Sequence, residues 1–286
     1  MICVSSFSLA ICISLFWAFF CWFASKITGN YSWVDRLWSL LPALYSYFFV
    51  LYELICNGYI FNKRQVVIAF LITLWTIRLT FNYYRKGGYK RGSEDYRWEY
   101  VKKYINNAFL FEILNIFFIA IIQNILLVYI IIPISIANFR NYFTFTDFLL
   151  ILSFLFFLGI ETIADQQQWT FQTKKHQLLK EKKVELLKGD YKRGFLTRGL
   201  FSYSRHPNFF GEMCLWWVVY LFSVDFDDNY RNWGNWTIFG AFGLTLLFQC
   251  STNLTEIISK EKYPTYGEYQ KTVSRFLFWF SKMKQE

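Results

Sequence analysis

The sequence offers little that could bind a metal ion or build a disulfide framework. It has two histidines and six cysteines, with no Cys-x-x-Cys pair and no histidine at zinc-ligand spacing. Nearly all the cysteines fall in apolar runs, where cysteine behaves as a small hydrophobic residue. We therefore predict no metal site and no disulfide framework. The cysteines are Cys3, Cys12, Cys21, Cys56, Cys214 and Cys250.

Motifs of soluble nucleotide-binding and nucleic-acid-binding domains are also missing. The chain contains no P-loop, no G-x-G-x-x-G fingerprint and no RNA- or DNA-binding motif, so we predict no nucleic-acid partner. It lacks internal repeats and low-complexity linkers as well, which predicts a single domain over residues 1–286. The first apolar run, from about Phe7 to Ala24, lacks a basic n-region before it and a clean small-residue cleavage site after it. We expect a retained helix there rather than a signal peptide.

The chain does contain long apolar runs. Its 286 residues are 55% hydrophobic and still carry a net charge of +10. Apolarity and charge are segregated, because runs of about 18 or more residues, long enough to cross a bilayer, alternate with short charged connections. This pattern predicts an all-α polytopic membrane protein with about seven transmembrane helices. The predicted spans cover roughly 7–25, 38–56, 66–84, 108–132, 147–165, 209–224 and 236–255.

The positive charges alternate between connections. The connection 166–207 carries ten Lys or Arg and the tail after Glu256 carries six, whereas 133–146 carries only Arg140. By the positive-inside rule, this alternation predicts a lumenal or exterior N-terminus and a cytosolic C-terminus. The terminal Lys282-Met283-Lys284-Gln285-Glu286 resembles a K-x-K-x-x retrieval signal. It predicts residence in the endoplasmic-reticulum membrane.

The stretch Ser202-Tyr203-Ser204-Arg205-His206-Pro207-Asn208-Phe209-Phe210-Gly211-Glu212 concentrates ionisable and polar groups at the mouth of a predicted span. Pro207 suits the first turn of a helix, which would place Asn208 and Glu212 on one face. Ionisable groups at such a position point to a functional site. The alternative is a basic residue at the membrane surface ahead of a capped helix.

Other polar groups lie within the predicted spans. Arg78 lies deep in the third span, which predicts an acidic partner or an anionic ligand inside the bundle. It belongs to a stripe on one helix face. Two carboxylates one turn apart end the fifth span. They can act as acid and base, hold a ribose, or neutralise Arg78. The stripe is Trp75, Arg78, Asn82 and Arg85, and the carboxylates are Glu161 and Asp165.

These segments and the glycine-rich basic loop 87–98 all fall on the predicted cytosolic side. An anionic soluble cofactor could enter there and meet an apolar substrate dissolved in the lipid. NADPH needs cations for its phosphates, carboxylates or amides for its riboses, and aromatic side chains for its rings. S-adenosylmethionine would need fewer cations. For the loop alone, a charged surface loop on the cytosolic leaflet is the alternative.

Five ordered motifs over residues 30–280 resemble the family called domain of unknown function (DUF) 1295, whose members are related to the C-terminal domain of steroid 5-alpha-reductases. Residues 1–29 lie outside this resemblance. The motifs are Trp33-Val34-Asp35-Arg36-Leu37-Trp38, Trp75-x-x-Arg78-Leu79-Thr80-x-Asn82, Gly87-Gly88-Tyr89 with Glu94-Asp95-Tyr96-Arg97-Trp98, Glu161-x-x-Ala164-Asp165 through Arg205-His206-Pro207-Asn208-x-x-Gly211-Glu212, and Tyr263-Pro264-x-Tyr266-x-x-Tyr269.

The resemblance implies a seven-helix endoplasmic-reticulum enzyme that binds NADPH among its C-terminal helices and reduces a conjugated double bond. The reductases' Asn-x-x-x-Asp pair resembles Glu161-x-x-x-Asp165, with the amide replaced by an acid. Their Asn-Phe/Tyr-x-Gly-Glu resembles Asn208 to Glu212. This chain departs from the pattern of the steroid reductases in two places. The early Glu and Tyr that grip the substrate carbonyl are not recognisable here, and the last-helix His and Tyr correspond to Thr252 and Glu256.

The Arg-His-Pro-Asn segment also resembles membrane methyltransferases that use S-adenosylmethionine to modify isoprenylcysteine or phospholipids. A non-catalytic lipid-binding protein is the third possibility. We favour an NADPH-dependent reductase of a conjugated C=C bond in a sterol-like or enoyl lipid. Predicted proton donors are Tyr83, Tyr84 and Glu161, and predicted cofactor-binding residues are Arg78, Arg85, Asp165, Trp169, Lys174, Arg198, Arg205, His206, Asn208, Glu212, Glu256 and Tyr266.

Overall fold

The long apolar runs form helices, because a helix satisfies its own backbone hydrogen bonds where water is excluded. A computed structural model describes residues 5–56, 61–181, 185, 187–226 and 233–279. No β-strand occurs in these ranges. The α-helices are α1 (Ser6–Thr28), α2 (Trp33–Trp38), α3 (Leu41–Cys56), α4 (Lys63–Arg85), α5 (Tyr96–Ile105), α6 (Ala108–Leu114), α7 (Gln123–Tyr129), α8 (Pro133–Ile136), α9 (Phe145–Lys180), α10 (Asp190–Arg193), α11 (Pro207–Leu221), α12 (Ile238–Lys262) and α13 (Tyr266–Thr272).

Five helical segments in the described ranges are long and apolar enough to cross a membrane. They are Ser6–Thr28, Lys63–Arg85, Ala108–Phe139, Phe145–Lys180 and Ile238–Lys262. The other two predicted spans correspond to α3 with 16 residues and α11 with 15. A helix rises about 1.5 Å per residue, so α3 is about 24 Å long, less than the ~30 Å hydrocarbon core.

Two local predictions can be compared with the helices. The helix at the polar stretch begins at Pro207, as expected. The basic, leucine-containing stretch 174–187 predicts a helix on the membrane surface, but its first residues continue α9 without a break to Lys180. Residues 182–184 and 186 of this stretch lie outside the described residues. The polar turns after Asp165 keep helical hydrogen bonds, so the sequence has no stop signal there. The retrieval-like residues 282–286 lie outside the described residues.

The chain divides into two compact units. Unit 1 comprises Met1–Phe154 and Trp216–Leu244, and unit 2 comprises Leu155–Leu215 and Thr245–Glu286. A single domain over 1–286 stays a prediction.

At one end of unit 1, α2 and the loop 86–95 are joined by hydrogen bonds. The guanidinium of Arg36 donates to the carbonyls of Gly88 at 3.3 Å and Ser93 at 3.0 Å. Nε1 of Trp98 donates to Oδ2 of Asp35 at 3.0 Å. Burial raises the pKa of the Asp35 carboxyl. Two motifs of the resemblance therefore build one structural block.

At the other end of unit 1, a buried ion network joins three connections. Arg64 and Asp147 are fully buried and pair at 2.9 Å. The Arg64 guanidinium also donates to the carbonyls of Ala137 at 2.6 Å and Phe222 at 2.9 Å. Arg140 bridges the other oxygen of Asp147 to the next connection. The connections around 62, 140 and 222 thus meet at one end of unit 1, as the charge alternation requires.

The N-x-S/T sequons Asn30-Tyr31-Ser32 and Asn235-Trp236-Thr237 have predicted positions that argue against glycosylation. Both are engaged in packing. Asn30 is buried and donates to the Ser93 carbonyl at 2.7 Å. Asn235 donates to Oγ of Ser223 at 3.0 Å, and its partner Thr237 is fully buried. An asparagine held in this way does not present its amide to a modifying enzyme.

Removing the charge of Asp147 should destabilise the protein strongly. Asp147→Asn keeps the side-chain shape but leaves the buried Arg64 without its counter-charge, a loss of about 3–5 kcal/mol. The loss of stability is measured as the fraction of folded protein recovered on size-exclusion chromatography after heating. Glu99→Gln breaks an exposed pair with Lys103 and should change nothing measurable. Equal melting of the two variants would contradict the structural role of the network.

Candidate functional site

A loop after α9 is held in shape by one carboxylate in unit 2. Asp190 accepts from the backbone N–H of Thr197 at 2.9 Å and from its hydroxyl at 2.6 Å. The ammonium of Lys175 on α9 donates to the Gly194 carbonyl at 2.9 Å. These hydrogen bonds connect the turn 190–194 to Thr197 and to α9, so the loop has a defined conformation.

The same loop docks on α9 through a glycine. The Leu200 N–H donates to Oε1 of Gln167 at 3.0 Å. Gly199 has φ +65, and a Cβ at this position would lie 2.5 Å from the same Oε1. Glycine alone fits this backbone. Nearby, the rings of Phe171 and Tyr191 stack with centroids 5.2 Å apart.

Helix α9 and the loop enclose a cleft of about 430 Å³ within unit 2. Its wall combines two exposed cations, hydrogen-bonding amide, hydroxyl and carboxylate groups, and two aromatic rings. Cations can hold phosphate groups, and the rings offer a flat apolar face. The lining residues are Gln166, Gln167, Thr170, Phe171, Lys188, Asp190, Tyr191, Leu196, Arg198 and Gly199.

A second polar centre in unit 2 is the buried carboxylate of Glu256. Nε of Arg205 donates to its Oε1 at 2.6 Å, and Nη2 donates to Oε2 at 3.2 Å. The imidazole Nε2 of His206 lies 3.0 Å from Oε1, and the Gln270 amide donates to Oε2 at 3.0 Å. Arg275 adds a longer ion pair at 3.5 Å. Four side chains therefore converge on one carboxylate.

The remaining Arg205 donors contact the chain near its C-terminal end. Nη1 donates to the carbonyls of Gln270, at 2.9 Å, and Val273. The backbone N–H groups of Arg205 and His206 donate to Ser274 and Arg275 at 2.8 and 3.1 Å. The Arg-His-Pro stretch and the segment after α13 therefore form one hydrogen-bonded structure.

Burial depresses the pKa of His206. Desolvation penalises the imidazolium, and Arg205 and Arg275 oppose its charge, although the Glu256 carboxylate favours it. The net direction is a lowered pKa, so the ring is neutral at neutral pH. A neutral ring facing a carboxylate must carry its proton on Nε2 and donate it to Glu256.

The predicted acid and amide residues occupy facing surfaces of α9 and α11 in unit 2. Glu161, Asp165 and Glu212 are all buried. The Asn208 amide lies 3.5 Å from Oδ1 of Asp165. The helices approach closely at Gly211, where an added Cβ would lie 3.0 Å from the Phe157 carbonyl. The small residue thus lets two acidic helix faces meet.

The other predicted site residues fall in several places. In unit 2, Arg198 lines the cleft, and the Lys174 ammonium lies 5.7 Å from the centroid of the Tyr191 ring. Trp169 is half-buried on α9. Tyr266 packs with Phe195 in an aromatic cluster.

In unit 1, the predicted residues lie at the end of α4. Tyr83 covers Gly88 and contacts the Tyr89 ring at 5.0 Å, whereas Tyr84 is 68% exposed. Arg85 donates to Asn82 at 2.9 Å, and Arg78 is half-buried. Catalytic roles for Tyr83, Tyr84 and Glu161 stay predictions.

Comparison with known proteins shows the family. Residues 21–273 match the family model described as Protein of unknown function (DUF1295). The chain belongs to the DUF1295 family. A protein of Schizosaccharomyces pombe described as uncharacterized is 42% identical over 264 residues, which cover 89% of this chain and 74% of the relative. No solved structure matches the chain significantly.

Sequence reasoning about this DUF1295 protein missed most of the cleft. Lys188, Asp190 and Tyr191 lie between the motifs, in a stretch that the sequence identifies only as part of a basic connection. A usable signal was the pair of glycines, Gly189 and Gly199, that bracket this part of the connection. Glycines so placed in a polar stretch indicate an ordered turn rather than an open linker.

The lowered pKa of His206 predicts a pH-dependent stability. Below about pH 6.5 the unfolded chain binds a proton that the folded chain refuses, so stability should fall by about 1.4 kcal/mol per pH unit until the folded pKa is reached. Melting temperatures between pH 7.5 and 5 measure this. His206→Gln, which keeps a donor toward Glu256, should remove the His206 contribution to the fall of the melting temperature with falling pH. The exposed His176 is the other histidine, and a slope lost instead with His176→Gln would refute the assignment.

Proposed function

We propose that the protein is a membrane-embedded NADPH-dependent reductase of a conjugated C=C bond in a lipophilic substrate, sterol-like or an enoyl lipid. The observation that carries the proposal is the unit 2 cleft. It collects two cations, several hydrogen-bonding groups and two stacked rings on one side of α9. That is the set of groups a phosphorylated dinucleotide needs.

The cleft residues fit separate parts of such a cofactor. Lys188 and Arg198 would hold phosphates, since guanidinium and ammonium groups are the usual phosphate ligands. Gln166 and Thr170 would bind ribose hydroxyls, and Tyr191 offers a ring face for a base. Lys174, lying over Tyr191, adds positive charge beside this face.

The Glu256 cluster has a positioning role in this proposal. Three nitrogens of Arg205 donate to acceptors within the protein, and direct contact of Arg205 with a phosphate stays a prediction. Its hydrogen bonds fix the end of the connection that lines the cleft. His206, Glu256 and Tyr266 act with it by the same route, through the packing of the C-terminal segment.

The buried acid and amide groups of α9 and α11 would complete the site. Asp165, Asn208 and Glu212 would bind ribose or carboxamide groups. When bound, NADPH supplies a hydride to the β-carbon of the enone or enoyl group, a proton adds to the α-carbon, and NADP⁺ remains. Tyr83, Tyr84 and Glu161 are the candidates for polarising the substrate carbonyl, as preorganised donors do in other enzymes.

The proposal includes a seven-span fold like that of the steroid reductases, with a cytosolic C-terminus in the endoplasmic-reticulum membrane. Its support is the way unit 1 joins its connections. The connections that contain Arg36 and Ser93 are joined by a hydrogen bond. The connections near Arg64, Asp147 and Phe222 are joined by an ion pair and a hydrogen bond. This grouping is what alternate crossing of a bilayer requires. The retrieval-like C-terminal sequence supports the location.

Ligand titration separates this function from its rivals. Purified protein in detergent should be stabilised against heating by NADPH, less by NADH, and not by S-adenosylmethionine. Stabilisation by S-adenosylmethionine alone would replace the reductase with a methyltransferase. A response to none of the three would favour the lipid-binding protein.

The cleft assignment is tested by matched charge deletions in unit 2. Arg198→Ala and Lys188→Ala should each weaken NADPH binding about tenfold to a hundredfold, the value of a charged hydrogen bond. Lys260→Ala removes an equal charge from the exposed end of α12 and should leave the affinity unchanged. Equal losses in all three variants would mean that only overall charge matters.

A further inference from the structure

Two cations of the unit 2 cleft lie next to one glycine. Lys188 precedes Gly189 in the chain, and Nη2 of Arg198 lies 3.3 Å from the position that a Cβ on Gly189 would occupy. Gly189 has φ 53° and ψ −127°, a backbone conformation that glycine adopts readily and other residues avoid. The missing side chain therefore leaves room for the Arg198 guanidinium beside the backbone that follows Lys188.

A pair of stacked rings lies in the same wall of the cleft. Phe171 and Tyr191 stack with their ring planes at 14° and their centroids 5.2 Å apart. Tyr191 is two residues beyond Gly189, so an aromatic ring and a cation come from one short segment of chain. A nucleotide presents the matching groups, because it joins an aromatic base to a phosphate through one sugar.

The cleft is closer in size to one nucleotide than to a dinucleotide. Its volume of about 430 Å³ lies in the lower part of the ~300–1,000 Å³ range of ligand pockets. NADPH consists of two nucleotides joined by a pyrophosphate, with a further phosphate on the 2′-hydroxyl of its adenosine. We therefore expect one half of the cofactor to lie in the cleft and the other half to extend beyond it.

Charge distinguishes the two halves. Hydride transfer leaves the nicotinamide ring positively charged, whereas adenine stays neutral. The ammonium of Lys174 lies 5.7 Å from the centroid of the Tyr191 ring, so a nicotinamide on this ring would be opposed by three nearby cations. Lys188 and Arg198 are also exposed, whereas hydride transfer to a lipid takes place where water is excluded. Both arguments favour adenosine in the cleft.

We propose that the unit 2 cleft binds the adenosine 2′-phosphate half of NADPH. Lys188 and Arg198 hold the 2′-phosphate, and Tyr191 contacts the adenine. A phosphate monoester carries about −1.5 to −2 charges at neutral pH, so both cations can pair with it. This inference rests on the proposed reductase function and places the nicotinamide outside the cleft. Because NADH lacks the 2′-phosphate, the same two cations make the site selective for NADPH.

Fragments of the cofactor test the assignment without an activity assay. Adenosine 2′,5′-bisphosphate should displace radiolabelled NADPH from the purified protein in equilibrium dialysis, and nicotinamide mononucleotide should not. Adenosine 3′,5′-bisphosphate has the same charge, with one phosphate moved to the neighbouring hydroxyl. We expect it to bind about tenfold more weakly, the value of one misplaced hydrogen bond.

Variants give a second reading. Arg198→Ala and Lys188→Ala should each weaken NADPH binding about tenfold to a hundredfold and NADH binding less than about threefold. Gly189→Ala places a Cβ against Arg198 and should lower the NADPH affinity with the same selectivity. Gly92→Ala is the matched control, because Gly92 also has a positive φ (+79) but lies in unit 1, where an added Cβ meets nothing within 4 Å. It should leave the NADPH affinity unchanged.

The outcomes separate the cleft assignment from the function on which it rests. If NADPH binds but adenosine 2′,5′-bisphosphate does not displace it, the assignment is overturned and the reductase proposal stands. Equal weakening of NADH and NADPH by Arg198→Ala and Lys188→Ala has the same meaning. If adenosine 2′,5′-bisphosphate binds and NADPH does not, the cleft remains a phosphoadenosine site and the reductase proposal fails. Binding of neither overturns both.

Discussion

The carboxylate of Glu256 holds together parts of unit 2 that are distant in sequence. It forms hydrogen bonds with Arg205 and His206 before α11 and with Gln270 on α13. A buried charge is tolerated only when its partners are all in place, so these segments must fold together. The connection that ends at Arg205 also lines the cleft near Arg198. The shape of the proposed cofactor site therefore depends on an ion cluster with a structural task.

In unit 1, too, buried charged groups are paired with partners from other parts of the chain. At one end, the buried pair of Arg64 and Asp147 joins connections whose charges are few. At the other, Asp35 accepts from the Trp98 indole in the first turn of α5, and Arg36 donates to backbone carbonyls of the loop before α5. Polar groups near a bilayer need partners from within the chain, and here those partners come from neighbouring connections. Charge thus fixes which helix ends meet.

Several residues of the family motifs have structural roles. Asp35, Arg36 and Arg205 belong to the motifs of the DUF1295 resemblance, yet each makes hydrogen bonds within the protein. The two exposed cations that line the cleft are Lys188 and Arg198, and Lys188 falls between motifs. The motifs describe the framework as much as a site. In the proposed function, the cofactor is bound by the connection that this framework holds in place.

The sequence alone determined the helical class and the order of the apolar runs, because hydrocarbon thickness and helical period act on local composition. It also placed the start of α11 at Pro207, since proline acts through its own geometry. Tertiary structure decided the rest. The pairing of Arg64 with Asp147 and the cleft at Asp190 both depend on residues far apart in sequence. Such contacts leave no periodic trace, because they arise only when separate segments pack and need partners for their buried charges.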